Sequence, residues 1–223
     1  MKKCYTILVC LISALTTFSQ TRYWVGPASG TEGVWNNTTY WSATSGGPGG
    51  ASVPNGGSFN VIFNQNAMVN VDIASITLSS IKVTNNANAI LYAVSASDIT
   101  LNSSSVANPA LDIDAGSKLT DSLAAAVTFR TFFGANAKGE IDGDYRLGAN
   151  PAIGVAVNFY FETIASGVVV NVNSTGRIIL GNLGGGIGSP ATLNFNAGSF
   201  LIFDRNGGVA PTANYNTTST IRI

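Results

Sequence analysis

Asp112, Asp114, Glu140, Asp142 and Asp144 form the best acidic group in the chain. Side chains alternate along an extended strand, so Asp112 and Asp114 share one face of one strand. By the same alternation Glu140, Asp142 and Asp144 lie together on another strand. If those strands are neighbours, Asp114 and Asp142 stack. Stacked carboxylates are oxygen ligands of the kind calcium takes. With Lys118, Lys138, Arg130 or Arg146 as a base, the group has the parts of a calcium-assisted elimination site. The plainer reading is a solvated outer face whose charge Lys138 and Arg146 balance. The sequence favours the plainer reading, because only these few acids carry the other and no lyase motif surrounds them.

Trp24, Trp35 and Trp41 are the second group with chemical potential. Exposed, coplanar indoles stack on sugars. Buried indoles would instead cover the open end of a stack of strands, where edges and core side chains need protection. The covering role is the expected one. Gly184-Gly185-Gly186-Ile187-Gly188 lacks the Gly-Lys-Ser/Thr ending of a phosphate loop and reads as a long corner. Asp121-Ser122-Leu123 fits a short O-glycosylation pattern.

What is missing narrows the chemistry further. The chain has no histidine, and its two cysteines, Cys4 and Cys10, both lie near the start. This removes the commonest general base and metal ligand together, and with them Ser-His-Asp triads, Cys-His dyads and classical zinc sites. Charged residues make up 10% of the chain, against about 25% in ordinary globular domains. Asn, Ser, Thr and Gly solvate the surface instead. No basic patch exists, so nucleic acid is not an expected partner. No cofactor, metal or catalytic residue is expected, and the chain reads as a non-enzyme.

The elements that position these residues are short and β-prone. Phe59–Phe63, Met68–Ile73, Ser75–Val83, Ala89–Val94, Ala110–Ile113, Ala126–Phe133, Val155–Phe161, Val168–Val172, Arg177–Leu180, Thr192–Phe195 and Phe200–Phe203 are rich in Val, Ile, Phe and Thr. Asn, Gly, Ser or Asp separates them. No convincing helical period with caps occurs outside the first 20 residues. Ser122–Ala126 comes nearest and is too short.

An internal echo selects the architecture. Ile113-Asp114-Ala115-Gly116-Ser117-Lys118-Leu119 recurs as Phe195-Asn196-Ala197-Gly198-Ser199-Phe200-Leu201. Looser forms run Ile141–Leu147 and Val172–Ile178, so the first residues are 28, 31 and 23 positions apart. One coil of a parallel β-helix takes roughly 20–30 residues. The fold expected is all-β: a right-handed parallel β-helix over residues 59–223, with residues 20–58 as a Trp/Gly-rich N-terminal cap. Ile113, Ile141, Val172 and Phe195 face inward. Asn and Gly take the corners, where left-handed backbone is needed, and stacked Asn amides bond coil to coil. The alternative is a β-sandwich or jelly roll, which Asn55-Gly56 and Asn206-Gly207 favour as hairpin turns.

Residues 1–19 read as a secretory signal peptide: Met1-Lys2-Lys3, an apolar run Cys4–Leu15, and a small polar close with cleavage after Ser19. The run is short for a membrane anchor, which needs about 20 apolar residues. Leu8-Val9-Cys10 lacks the small residues usual before a lipidated cysteine. After cleavage the net charge is −2, and no membrane insertion is expected.

Tyr23-Trp24-Val25-Gly26, Trp35-Asn36, Tyr40-Trp41-Ser42, Ser45-Gly46-Gly47, Ala51-Ser52-Val53-Pro54 and Asn60-Val61-Ile62-Phe63 follow one another in order. This segment resembles the start of a family of large secreted surface proteins typical of the Bacteroidetes phylum. Members are adhesin-like β-solenoids, often exported by the type IX secretion route and held on the surface by a C-terminal sorting domain. Here Ser58, Asn64 and Gln65 flank the Asn-Val-x-Phe strand, where members usually place acids. The resemblance implies a structural, adhesin-like segment of a secreted or cell-surface protein. Extracellular glycans or surface proteins would be its partners. The rivals are a polysaccharide-degrading, pectate-lyase-like β-helix enzyme and a carbohydrate-binding module using the three tryptophans. The close, Thr220-Ile221-Arg222-Ile223, alternates like a strand in progress. A β-helix truncated at its C-terminus, continuing into downstream domains and self-associating when expressed alone, is therefore expected.

Overall fold

Branched and aromatic side chains pack well on a pleated surface, so runs of Val, Ile, Phe and Thr favour extended backbone. A computed structural model describes residues 19–28, 33–123, 127–148, 158–163, 166–181, 185–187, 192–204 and 209–223. The protein is all-β, 50% strand and 2% helix. The leader Met1–Phe18, Asn206-Gly207 and the region Ala124–Ala126 lie outside the described residues.

The strands form three sheets. Sheet A has the order β3 (Trp41–Ser42), β1 (Gln20–Trp24), β4 (Phe59–Phe63), β7 (Ser80–Val83), β10 (Leu111–Ile113), β13 (Lys138–Ile141), β16 (Val169–Val172), β19 (Thr192–Phe195), β21 (Asn214–Tyr215). Sheet B runs β2 (Gly33–Val34), β5 (Ala67–Asn70), β8 (Asn88–Ala93), β11 (Lys118–Leu123), β14 (Asp144–Leu147), β17 (Arg177–Leu180), β20 (Phe200–Phe203), β22 (Thr220–Arg222). Sheet C runs β6 (Ser75–Leu78), β9 (Ser97–Leu101), β12 (Thr128–Phe133), β15 (Asn158–Thr163), β18 (Gly185–Ile187). From β4 to β20 the chain visits A, B and C in strict rotation.

Every strand pairing among the described residues is parallel except β1 with β3. An antiparallel sandwich, the alternative expectation, is therefore not the architecture. Asn55-Gly56 makes no hairpin: the Asn55 carboxamide accepts from Thr77 N at 3.1 Å and donates to Ser75 O at 3.3 Å, tying a loop to sheet C.

The echo is a register. Phe63, Val83, Ile113, Ile141, Val172, Phe195 and Tyr215 are successive partners across sheet A. All but Tyr215 are buried, so the four residues expected to face inward do so. Left-handed backbone occurs at Asn85, Asn86, Asn136, Gly116, Gly167 and Gly198, all between strands. Gly116 has φ of +80°, and a Cβ there would stand 2.2 Å from Asn86 Oδ1 in the corner of the preceding pass. Neither the conformation nor the space suits any other residue.

Four details differ from the sequence reading. Ser75–Val83 is two strands, because the chain turns from sheet C to sheet A at Ser79 alone. Gly185–Ile187 is strand β18 on β15 rather than part of a corner. Leu119 pairs with Tyr145, not with Leu147. The corner from Ile141 to Tyr145 is two residues shorter than those from Ile113 to Leu119 and from Val172 to Ile178. Gly143 allows that corner, since a Cβ there would lie 2.3 Å from Ser117 O and 2.5 Å from Asp114 O. Finally, residues 20–58 do more than cover an end: β1 pairs in parallel with β4 and β2 with β5, so this segment already contributes strands to sheets A and B.

Candidate functional site

The three indoles are fully buried. Trp24 and Trp41 meet with centroids 5.1 Å apart at 77°, and Trp35 and Trp41 at 4.8 Å and 64°. Trp24 and Trp41 both pack on Phe63 at 6.4 Å. Gly26 and Gly33 lie against the Trp24 ring so closely that a Cβ on either would fall within 2.5 Å of it. Each indole N–H reaches a backbone carbonyl: Trp24 to Pro27 at 3.3 Å, Trp35 to Pro54 at 3.1 Å and Trp41 to Trp35 at 2.8 Å. Edge-on, satisfied and dry, these rings offer no coplanar face on which a sugar could stack. The burial of Trp24, Trp35 and Trp41 fits the covering role expected of them and leaves no exposed face for the sugar-platform alternative.

The acidic residues lie where the sheet A register puts them. Alternation on β10 and β13 turns Asp112 and Glu140 outward as direct partners. Asp114 and Asp142 follow in adjacent corners. A lysine not singled out from the sequence, Lys82 on β7, neutralises the first pair. It is opposite Asp112 in register and donates to Asp112 at 2.5 Å and to Asp114 at 2.9 Å. Thr84 adds a hydroxyl bond to Asp114. Burial alone would raise the Asp114 pKa, but the Thr84 and Lys82 bonds outweigh it and hold the carboxyl below its usual range. Burial alone would lower that of Lys82, yet its two carboxylate partners raise it. A lysine that holds its proton more tightly is the opposite of a general base.

Amides, not cations, hold the second pair. Asn171 donates to Glu140 at 2.8 Å, and Asn173 donates to Glu140 at 3.0 Å and to Asp142 at 3.1 Å. From there the expected asparagine ladders run on. Asn194 donates to Asn171 at 2.9 Å, Asn214 to Asn194 at 2.9 Å, and Asn196 to Asn173 at 3.0 Å. Each donor points toward the preceding pass, and Glu140 accepts at the head of the column. Aligned amides polarise one another, and a carboxylate at the donor end strengthens the chain.

Asp144 does not join Glu140 and Asp142 on one face. Gly143 turns the backbone, and Asp144 opens β14 in sheet B, where Arg177 grips it at 2.5 and 2.9 Å. The cations considered as bases are dispersed. Arg130 pairs with Asp98 on sheet C at 2.7 and 2.6 Å, Arg146 with Asp204 on sheet B at 2.5 Å, and Lys138 donates to Gly167 O at 3.3 Å. The balancing role expected of Lys138 and Arg146 falls to Lys82 and Arg177. No group of three or more acids among the described residues is arranged to hold a metal ion. Ser122 of the glycosylation pattern is buried in β11, out of reach of a transferase in the folded state.

One of the described acids lies on the inside. Asp121 of β11 is buried; Tyr145 donates to its Oδ2 at 2.5 Å and Thr131 at 3.0 Å, while Oδ1 has no partner. Burial pushes its pKa up from 3.8 to about 6, against the two hydroxyl bonds, which lower it. The inward period of Leu119 and Asp121 marks this position, but an acid in an apolar slot reads as a turn residue. Among the described residues no helix is long and apolar enough to cross a membrane. Comparison with protein-family models, curated proteins and solved structures finds no match.

Proposed function

We propose that the chain is a right-handed parallel β-helix, closed at its N-terminal end by the tryptophan cluster, that serves as a structural, adhesin-like segment of a secreted or cell-surface protein. The observation that carries this reading is the outer face of sheet A. There, side chains of successive passes are bonded in two runs, Lys82 to Asp112 and then Glu140 through Asn171 and Asn194 to Asn214. Such columns join passes along the stack in addition to the backbone pairing, which suits an element that bears load or holds distance. A right-handed crossover is the rule for parallel strands in one sheet. The lyase reading gains no support from Lys82, which is engaged by two carboxylates.

Residues 1–19 are its signal peptide, and extracellular glycans or surface proteins are its partners. Expression of the whole chain in a secreting two-membrane bacterium tests this. A mature N-terminus at Gln20, in the medium or on protease-accessible cell surface, is the expected result. Retention in the cytoplasm with Met1 still in place would overturn it.

A further inference from the structure

The short corner at Gly143 leaves a notch. The corners before and after it are two residues longer and stand out on either side. The result is a groove of about 160 Å³ whose lining includes Ser117, Lys118, Asp142, Asp144, Thr175 and Arg177. Lys118, Asp144 and Arg177 are consecutive partners across sheet B. Parallel strands are about 4.8 Å apart, so the two cations flank Asp144 over roughly 10 Å. Arg177 spends Nε and Nη2 on Asp144, which leaves Nη1 without a partner among the described residues. The exposed Lys118 ammonium has no hydrogen-bond or ion-pair partner among the described residues either. Asp142 Oδ1 is likewise open, since Asn173 takes Oδ2.

Ser117 supplies an independent observation. Ser199 and Ser219 occupy the same place in later corners, and each donates its hydroxyl to the carbonyl three residues back at 2.7 Å. Ser117 does not. Its Oγ is buried without a partner, in a residue 1% exposed, beside the notch. A buried polar group left unpaired is costly, and Ser117 is one of the residues that line the notch.

We infer that this notch is a binding subsite for one hexose unit of a neutral extracellular glycan. The formal charges of Lys118, Asp142, Asp144 and Arg177 cancel, so no net field selects an ion. What the groove offers is donors and acceptors side by side, the pattern that vicinal hydroxyls satisfy. Its volume suits a single pyranose ring, and its open side lets the rest of a glycan continue past the corner. This deepens the glycan-partner reading above, but it is tested on purified protein, so a failure of surface display leaves it standing.

The test uses amide NMR of the full chain after removal of residues 1–19, titrated with the hexaoses of glucose, mannose and galactose, and with a glucuronate hexamer. One neutral hexaose should shift the amides of 116–118, 142–144 and 175–177. Its affinity should fall at least tenfold in Lys118→Met/Asp142→Asn, with the rest of the spectrum unmoved as the check on folding. No shift with any neutral hexaose overturns the inference. So do shifts elsewhere, shifts with the glucuronate hexamer alone, or unchanged affinity in the variant.

Discussion

Replacing Asp121 with asparagine should change the pH dependence of stability more than any other single substitution. The carboxyl is sealed between sheets B and C, with Tyr145 and Thr131 donating to Oδ2 and nothing on Oδ1. Its pKa is 3.8 in ordinary surroundings and about 6 in the fold, because burial penalises the charged form. Tyr145 also titrates well above its usual value, first through burial and then through Asp121, so it stays a neutral donor throughout. Between about pH 4 and 6 the folded chain therefore holds a proton that the unfolded chain has lost. Stability contributed by the neutral carboxyl is fully present below pH 4 and declines as pH rises through 6. The difference corresponds to about 3 kcal/mol. Asparagine keeps an acceptor for both hydroxyls and cannot ionise. Urea unfolding at pH 4, 5, 6 and 7.5 should show the stability of Asp121→Asn, relative to the wild type, rising by roughly 2–3 kcal/mol across that range. A relative stability that stays constant with pH, or that falls toward pH 7.5, would refute the reasoning.

Gly116→Ala should cost about 1–2 kcal/mol from left-handed strain and more from the contact with Asn86, whereas Gly46→Ala, with φ of +64° and nothing within 4 Å, should show the strain alone; thermal melts compare them. Asn194→Ala removes two ladder bonds, the one it donates to Asn171 and the one it accepts from Asn214, for a loss of about 1–2 kcal/mol by urea unfolding, while a change at exposed Asn196 should cost less. Tryptophan emission should be blue-shifted, resist iodide quenching and stay constant on addition of oligosaccharides, since all three rings are buried; quenching by iodide in the folded protein would contradict the cluster described.

Much of the fold was legible because one inward position repeats. Ile113, Ile141, Val172 and Phe195 stand in one register, and the echo around them needs no alignment to see. Strands β9, β11 and β14 were not legible. Their outward positions are largely polar, and in β11 the inward Asp121 adds a further polar residue, so their apolar content is low. Ser79 alone is a weak turn signal, and the chain bends there with both flanking strands held by other passes. The asparagine columns were foreseen as a class, whereas Lys82 was missed, because its role depends on lying opposite Asp112 and only the register reveals that. The notch was hidden for a similar reason: a corner shorter by two residues becomes visible when Tyr145, not Leu147, is placed against Leu119.

The most direct test of the central claim is a nuclear Overhauser map of the backbone amides in deuterated protein. Parallel stacking predicts contacts that link Val83 to Ile113, Ile113 to Ile141, Ile141 to Val172 and Val172 to Phe195, each spanning more than 20 residues. A map dominated instead by antiparallel contacts between strands adjacent in sequence, such as β10 with β11, would contradict it.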